Sequence, residues 1–299
     1  MGIVANSAKV AARSLVQKAA RLIERSGRVV VCDTGTAQLA QLTIKSAPDV
    51  AALTRQVDML LVFGGDGTML RVAREMHGAP TPILGINVGG LGFLTDVSSA
   101  RLAEALRQVW NGSFTIEARA LLEATGTCGQ RPIKVCALND VVISRAIVSR
   151  LIELEVSVDL QTLTCYRCDG LIVSSPTGST AYSLAAGGAI VCPTAQVFTL
   201  TPICPHTLSN RSVIVSLDST VAVRVLSEKP ETILSADGQN ESALTAGDVI
   251  TVRRSRHSVR LMHLQGTSFF ETLRQKLHWR GSHVGTSDPS CLSTESGPI

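Results

Sequence analysis

A single carboxylate lies among glycines in the segment Gly64-Gly65-Asp66-Gly67-Thr68. An apolar run precedes this segment and a run with helical spacing follows it, so we expect a loop between a buried strand and a helix. Glycines in such a loop let backbone N–H groups approach a phosphate closely. An Asp beside that phosphate can accept a proton from an alcohol. The alternative is that the Asp or Thr only caps the following helix.

A second glycine-rich segment, Gly85 to Phe93, follows the next predicted strand. The carboxyl ends of neighbouring parallel strands meet at one edge of a sheet, so both glycine loops can face one ligand. Taken alone, the second segment is equally well explained as a tight turn between a strand and a helix.

A third segment, Asp169 to Ser183, runs from an apolar strand into a hydroxyl-rich turn that opens a short helix. Free N–H groups and hydroxyls there suit a phosphate or a ribose, although a solvated turn has the same composition. Two further polar groups need partners: Asn139-Asp140, predicted inside a strand, and Asp237-Gly238-Gln239, predicted at a turn. A structural hydrogen bond is the alternative for each.

The elements that must position these residues fall into two classes. In the first third, short apolar runs alternate with helical spacing, which is typical of a parallel sheet covered by helices. The predicted strands are Gly2–Ala5, Arg28–Cys32, Asp58–Phe63 and Pro82–Ile86, and the predicted helices are Ala8–Arg25, Thr36–Lys45, Met69–Met76 and Ser98–Trp110.

After Asn111-Gly112 the pattern changes to many short alternating runs, which predicts a mainly antiparallel β domain. Helices are expected only near Thr180–Ala186 and over Phe269–Trp279. The predicted strands are Phe114–Ala118, Val135–Ile143, Ile152–Val158, Val197–Leu200, Val213–Ser216, Val221–Leu226, Asp248–Val252 and Val259–His263.

Composition excludes several classes of protein. Of the 299 residues, 45% are hydrophobic and 17% charged, which excludes a disordered chain. The net charge of +4 is too small to indicate nucleic-acid binding, and no apolar run is long enough for a membrane helix. We therefore expect a soluble cytoplasmic protein. Eight cysteines in so long a chain indicate reduced thiols, and Cys165-x-x-Cys168 lacks the second pair that a zinc site needs.

Together these segments resemble the ATP-dependent NAD kinase family of bacterial type. The similarity runs in order through nearly the whole chain, from Gly2-Ile3-Val4-Ala5-Asn6 to Asp237-Gly238-Gln239, and includes Pro205–Ser209. The Gly-Gly-Asp-Gly-Thr loop alone also resembles that of diacylglycerol and sphingosine kinases. The block Asp169–Ser183, joined to the later Asp-Gly-Gln, is much more specific to the NAD kinases.

The resemblance implies a fold and an activity. The fold would be α/β plus all-β: a Rossmann-like parallel-sheet domain over residues 1–125 and a β-sandwich-like NAD-binding domain over 126–266. A C-terminal helix within 267–280 would return to the first domain. Independently of the resemblance, the Gly, Ser, Thr and Pro content of residues 281–299 predicts a disordered tail. The activity would be transfer of the ATP γ-phosphate to the 2′-hydroxyl of the adenosine ribose of NAD, with Mg²⁺ accompanying ATP. Relatives of this kind form homo-oligomers, so a homodimer or homotetramer is expected.

The resemblance also implies site residues. Asp66 would be the proton acceptor, and no metal-binding residue is assigned. Residues at positions that contact NAD would be Asp66, Gly67, Arg71, Asn139, Asp140, Arg150, Arg167, Asp169, Thr180, Ala181, Tyr182, Ser183, Ala185 and Gln239.

Two other functions compete with this assignment. A lipid kinase would share the Gly-Gly-Asp-Gly-Thr loop but should carry an apolar, membrane-facing patch, which the sequence lacks. A dinucleotide-binding protein without catalysis would keep the cleft, and the intact Asp66 argues against it.

Overall fold

A computed structural model of the chain describes residues 1–6, 11–90, 92–95, 97–129, 131–146, 150–206, 211–228, 232–266 and 268–279. Strands and helices alternate through residue 87, and then a short sixth strand and a 3-10 turn over Ser99–Arg101 precede the last helix. The strands are β1 (Gly2–Ala5), β2 (Val31–Asp33), β3 (Ser46–Ala47), β4 (Leu60–Gly64), β5 (Ile83–Asn87) and β6 (Val97–Ser98), and the helices are α1 (Ala11–Arg25), α2 (Thr34–Ala40), α3 (Val50–Thr54), α4 (Asp66–Glu75) and α5 (Leu102–Trp110).

These strands form a parallel sheet in the order β3-β2-β1-β4-β5-β6. Every residue of β1, β4 and β5 is buried, because helices cover both faces of the sheet. In α1 the buried positions Ala12, Val16, Ala19, Ala20 and Ile23 recur at helical spacing, so one stripe of the helix packs on the sheet.

The rest of the chain is mostly β structure, with a 3-10 turn over Thr177–Thr180. Its helices are α6 (Tyr182–Ala185) and α7 (Phe269–Lys276), and its strands are β7 (Phe114–Cys128), β8 (Arg131–Ala137), β9 (Asp140–Arg145), β10 (Ile152–Val158), β11 (Gln161–Cys168), β12 (Gly170–Ser174), β13 (Val197–Ile203), β14 (Val213–Ser216), β15 (Val221–Val225), β16 (Thr232–Ala236), β17 (Gln239–Leu244) and β18 (Val249–Leu264).

Two β layers enclose the second core. An antiparallel sheet in the order β14-β13-β12-β9-β16-β17 forms one layer, and β11-β10-β15-β18 belong to the other. Buried side chains from both layers meet between them, including Leu171 and Phe198 from the first layer and Leu154 and Val223 from the second. This is the packing of a β-sandwich.

Strand β18 connects the two halves of the molecule. It pairs antiparallel with β15 near its start, while Leu261 near its end pairs in parallel with Ile83 of β5. The parallel sheet and one sandwich layer thus form a single sheet of 12 strands. The architecture confirms the predicted fold class, including the C-terminal helix α7, whose Phe269 ring lies 6.3 Å from that of Phe93 in the first half.

Several predicted boundaries are wrong. The predicted strand Val135–Ile143 is two strands, β8 and β9, so Asn139 lies in the break between them and not inside a strand. The carboxylate of Asp237 binds the backbone N–H groups of residues 138–140 and interrupts the ladder there. The predicted strands Asp248–Val252 and Val259–His263 are one strand, β18, with an irregularity in its pairing with β7 between Arg254 and Ser258.

Other boundaries moved by a few residues. Helix α4 begins at Asp66 rather than Met69, so the predicted acceptor belongs to the first turn of the helix. Strand β7 continues to Cys128, and β11 was not predicted. Residues 8–10 of the first predicted helix, residues 207–209 and the tail 281–299 lie outside the described residues, and the domain limits remain predictions. No helix in the described part of the chain is long and apolar enough to span a membrane.

Candidate functional site

The carboxylate of Asp66 is held by backbone groups of a distant loop. The N–H of Phe93 donates to Oδ2 over 2.9 Å, and the N–H of Leu94 donates to Oδ1 over 3.0 Å. Each carboxylate oxygen offers about two acceptor positions, so both oxygens can accept a further proton donor. The site therefore combines a fixed carboxylate with remaining acceptor capacity.

Glycines allow this close packing because a side chain at their positions would collide with Asp66 or Thr68. A Cβ at Gly92 would lie 2.1 Å from Oδ1 of Asp66, and one at Gly64 would lie 2.2 Å from Oγ1 of Thr68. The two glycine loops predicted to share a sheet edge thus meet at Asp66. A Cβ at Gly67 would meet nothing within 4 Å, so this backbone borders open space.

Arg71 lies one turn beyond Asp66 but is engaged within the first half of the molecule. Its guanidinium pairs with Glu75 at 2.9 Å and donates to the carbonyl oxygen of Ala5 at 3.3 Å. It thus joins the end of β1 to α4. These contacts give Arg71 a structural role beside the predicted site.

A second carboxylate organises the segment around Asn139 and Asp140. Asp237 accepts hydrogen bonds from the N–H groups of Leu138 at 2.9 Å, Asn139 at 2.7 Å and Asp140 at 3.3 Å. Asp237 adopts a left-handed conformation with φ of 51°, which turns β16 back into β17. The predicted pair of polar residues is thus positioned through its backbone.

The two carboxylates in this segment have unusual electrostatics. Burial, followed by the neighbouring Asp237 carboxylate, raises the pKa of Asp140 from 3.8 to about 7. Burial also raises the pKa of Asp237, although its three backbone donors and the Arg74 guanidinium act in the opposite direction. Asp140 is therefore only partly charged near neutral pH.

The hydroxyl-rich turn packs against Asn139. The carbonyl oxygen of Asn139 accepts from the N–H of Ser175 at 2.9 Å, and a Cβ at Gly178 would lie 2.1 Å from it. Most hydroxyls of the turn bind protein groups: Ser175 donates to the Leu138 carbonyl at 2.6 Å and Ser179 to the Pro176 carbonyl at 2.7 Å. These two hydroxyls hold the turn together, so they do not face a ligand.

The predicted residues after this turn differ in accessibility. Ser183 is fully buried and shares a hydrogen bond of 3.0 Å with Thr201, and Thr180 bonds to the Thr177 carbonyl. Tyr182 is 48% exposed and Ala185 is exposed, so both can contact a ligand.

Asp169 lies at the other end of β12 from this turn. It forms a two-point ion pair with Arg145, the shorter distance being 2.8 Å. Arg167 is largely exposed and lies 3.9 Å from Glu153, and Arg150 is exposed. The five residues of β12 separate Asp169 from Ser175, which is six steps along the strand, or about 20 Å at the usual rise, so a ligand that contacts both must be extended.

Gln239 connects the two halves of the molecule. Its side-chain oxygen accepts a hydrogen bond from Arg74 of α4. Leu138 packs into the same core as Met69 and Val72 of α4, so the helix that begins at Asp66 is fixed against the β domain.

Sequence reasoning missed several residues of the site. Asp237 was noted only as part of a turn, although its position two residues before Gln239 pointed to it. No sequence pattern indicated the roles of Arg145, Phe93 and Arg74, because their partners are distant in sequence. In the described part of the chain, no three His, Cys, Asp or Glu side chains form a metal-binding group. Cys165 is exposed and Cys168 buried, so the two do not face one site.

Comparison with known proteins gives consistent matches. The family model described as ATP-NAD kinase N-terminal domain matches residues 1–114, and that described as ATP-NAD kinase C-terminal domain matches residues 138–264. The NAD kinase of Moorella thermoacetica is 41% identical over 294 residues, which is 97% of this chain and 93% of that protein. The NAD kinase of Syntrophotalea carbinolica is 43% identical over 77% of this chain and 81% of its own.

Two solved structures are also similar. Yeast NADH kinase complexed with NADH superposes with a TM-score of 0.86 at 25% identity, covering 94% of this chain and 88% of that one. The NAD kinase of Archaeoglobus fulgidus in complex with ATP superposes with a TM-score of 0.74 at 26% identity, covering 94% and 99%.

Proposed function

Because this chain belongs to the ATP-NAD kinase family, we propose that it transfers the γ-phosphate of ATP to the 2′-hydroxyl of the adenosine ribose of NAD, with Asp66 as the proton acceptor. It is a phosphotransferase whose acceptor is an alcohol. The observation that carries the role of Asp66 is the convergence of two glycine loops on its carboxylate, which is fixed by two backbone donors.

The proposed chemistry needs a base and a place for phosphate charge. A ribose hydroxyl is a poor nucleophile, so removal of its proton in the transition state contributes about 10²- to 10⁴-fold to the rate. The N–H of Thr68 already donates to the carbonyl oxygen of Gly65, whereas the N–H groups of Asp66 and Gly67 precede the first i→i−4 bond of α4. Such N–H groups at a helix N-terminus stabilise phosphate. Gly67 offers its backbone to open space there. Base and phosphate cradle would thus lie within one turn of helix.

We propose that NAD lies along the wall formed by β12 and its flanking turns. The contacts near the Asp66 end would come from Asn139, Asp140, Thr180, Ala181 and the exposed Tyr182 and Ala185. The buried Ser183 would support this turn from behind through Thr201. The contacts near the other end would come from Arg150, Arg167 and Asp169. An extended dinucleotide suits that separation. Gln239, Gly67 and Arg71 would contribute from the α4 side, Arg71 only if a phosphate displaces its pairing with Glu75.

We propose that Mg²⁺ enters as the complex with ATP. Protein sites for Mg²⁺ commonly supply one or two carboxylates while phosphates and waters complete the coordination. The carboxylate of Asp140 fits such a contribution, since a bound cation would favour its charged form. The metal would neutralise charge on the transferring phosphate.

The deciding experiment supplies the pure protein with Mg-ATP and NAD and follows NADP with an NADP-specific dehydrogenase. We expect NADP from the wild-type chain and from Asp218→Asn, which alters an exposed Asp of the same type. Asp66→Asn should bind NAD with little turnover. If the wild-type chain phosphorylates a lipid headgroup and forms no NADP, it is a lipid kinase. If it binds NAD without turnover, it is a dinucleotide-binding protein.

We also propose that the protein acts in the cytoplasm as a homodimer or homotetramer. Family membership supports the assembly. Light scattering of the purified chain in solution measures its mass, and a monomer of 31.6 kDa would contradict this proposal.

A further inference from the structure

The orientation of Asp66 depends on the position of two residues in another loop. Both of its carboxylate oxygens are bound by the adjacent N–H groups of Phe93 and Leu94. These donors follow Gly92, whose backbone packs so closely on Asp66 that no side chain fits between them. A shift of this short segment therefore moves both donors at once.

The C-terminal helix α7 contacts the side chain of Phe93, one of the two residues that donate to Asp66. The ring centroid of Phe269, at the first position of α7, lies 6.3 Å from that of Phe93 in a tilted arrangement. At the last position of α7, Nζ of Lys276 lies 5.8 Å from the Phe93 ring centroid, within the range of a cation–π contact. Both ends of one helix thus hold the same ring.

Helix α7 is itself anchored, because Leu273 in its middle is buried. The contacts form a continuous series from α7 through the Phe93 ring to the Phe93 and Leu94 N–H groups and then to Asp66. The two ends of the series are about 200 residues apart in the chain, so no local sequence signal joins them.

We propose that Phe269 is a positioning residue for phosphoryl transfer, which acts through Phe93 to fix the carboxylate of Asp66. The inference rests on the proposed role of Asp66. Hydrogen bonds weaken steeply as distance and angle depart from their optimum, and a displacement of about 1 Å in a reacting group can cost about 100-fold in rate. Loosening Phe93 should therefore reduce turnover more than binding.

The first test is Phe269→Ala, assayed for NADP formation. We expect kcat to fall about 10- to 100-fold while KM for NAD stays within about twofold. Phe269→Tyr keeps the ring and should restore most of the rate. Lys276→Met, which removes only the cation, should lower kcat severalfold. Trp279→Ala removes an exposed ring from the same segment and should match wild type. Thermal unfolding confirms that each variant is folded.

The second test is a double-mutant cycle, with residual turnover measured from radiolabelled ATP. If Phe269 acts through Asp66, Phe269→Ala lowers kcat in wild type but not in Asp66→Asn. Equal losses in both backgrounds, or a change confined to KM, would overturn the positioning role. Full activity of Asp66→Asn would refute the proposed base, whereas a normal Phe269→Ala beside an inactive Asp66→Asn refutes only the role of α7.

Discussion

Asp66 and Asp237 are held in the same way but sit in different surroundings. Each carboxylate accepts hydrogen bonds from consecutive backbone N–H groups of another segment: Asp66 from Phe93 and Leu94, and Asp237 from residues 138–140. Asp66 opens a helix beside the unobstructed Gly67. Asp237 lies in a left-handed turn next to the buried Asp140.

The difference separates a chemical role from a structural one. A carboxylate has about four acceptor positions; Asp66 uses two of them and Asp237 three. Asp66 keeps capacity for a hydroxyl proton at a helix end that stabilises phosphate. Asp237 holds the strand break that presents Asn139 and Asp140. The same side chain, fixed by the same kind of bond, thus has the proposed catalytic role at Asp66 and an architectural one at Asp237.

The largest effect is expected for Asp66→Asn. The amide keeps the shape but cannot take the proton, so kcat should fall about 10²- to 10⁴-fold. The free energy of unfolding should change by no more than about 1 kcal/mol, because water can reach the freed N–H. Steady-state kinetics and urea unfolding measure both quantities. A turnover near that of wild type would show that Asp66 is not the proton acceptor, and the contrast with Asp237 would then be structural only.

The next effect is expected from the loop that orients Asp66. In Gly92→Ala the new Cβ would collide with Oδ1 of Asp66, so the carboxylate must move and kcat should fall about 10- to 100-fold. Gly90→Ala is the matched control, because a Cβ there meets nothing within 4 Å and its φ is not left-handed. Equal rates for the two variants would show that the position of the Asp66 carboxylate does not matter.

A stability effect is expected on the other side of the comparison. Asp237→Asn replaces one of the acceptor oxygens by a donor that faces backbone N–H groups, leaving at least one unsatisfied. We expect a loss of about 1–3 kcal/mol in the free energy of unfolding and a higher KM for NAD, with kcat reduced less than in Asp66→Asn. A fully stable Asp237→Asn with the kinetics of Asp66→Asn would make the two carboxylates equivalent.

Most of the fold could be predicted from the sequence because local patterns determined it. The buried runs of β1, β4 and β5 and the spaced alanines of α1 are local signals. The break at Asn139 was not predictable in this way, since Asp237 causes it from about 100 residues away. The single long β18 was also missed, because its charged middle interrupts the apolar alternation.

The site was predictable only in part, for a related reason. The glycines around Asp66 stand out by composition, and their convergence follows from the rule that parallel strands end at one edge. Which groups orient Asp66 could not be inferred, because backbone donors such as the Phe93 N–H carry no residue signature. The hydroxyls of the turn suit a ligand by composition, but composition does not show that Ser175 and Ser179 already donate to neighbouring carbonyl groups.

The smallest effect is expected when Asp140 is replaced, and it concerns the pH dependence of the free energy of unfolding. It tests whether placing the Asp140 and Asp237 carboxylates side by side destabilises the fold. Burial and Asp237 raise the pKa of Asp140 from 3.8 to about 7. Between these pH values the folded state keeps a proton on Asp140 that the unfolded state has lost. The free energy of unfolding contributed by the protonated Asp140 is therefore full below pH 4 and is lost as pH rises through 7. From pH 6 to 8 this loss amounts to about 1 kcal/mol.

Asp140→Asn removes the titrating group, so the free energy of unfolding should depend less on pH across that window. Asp159→Asn is the control: the pKa of Asp159 is lowered by the backbone N–H of Thr220, so its removal should leave the slope between pH 6 and 8 unchanged. Urea unfolding at pH 5, 6, 7 and 8 measures the slopes. If wild type and Asp140→Asn keep parallel slopes, Asp140 is charged throughout, and the Asp237 region tolerates two neighbouring carboxylates without cost.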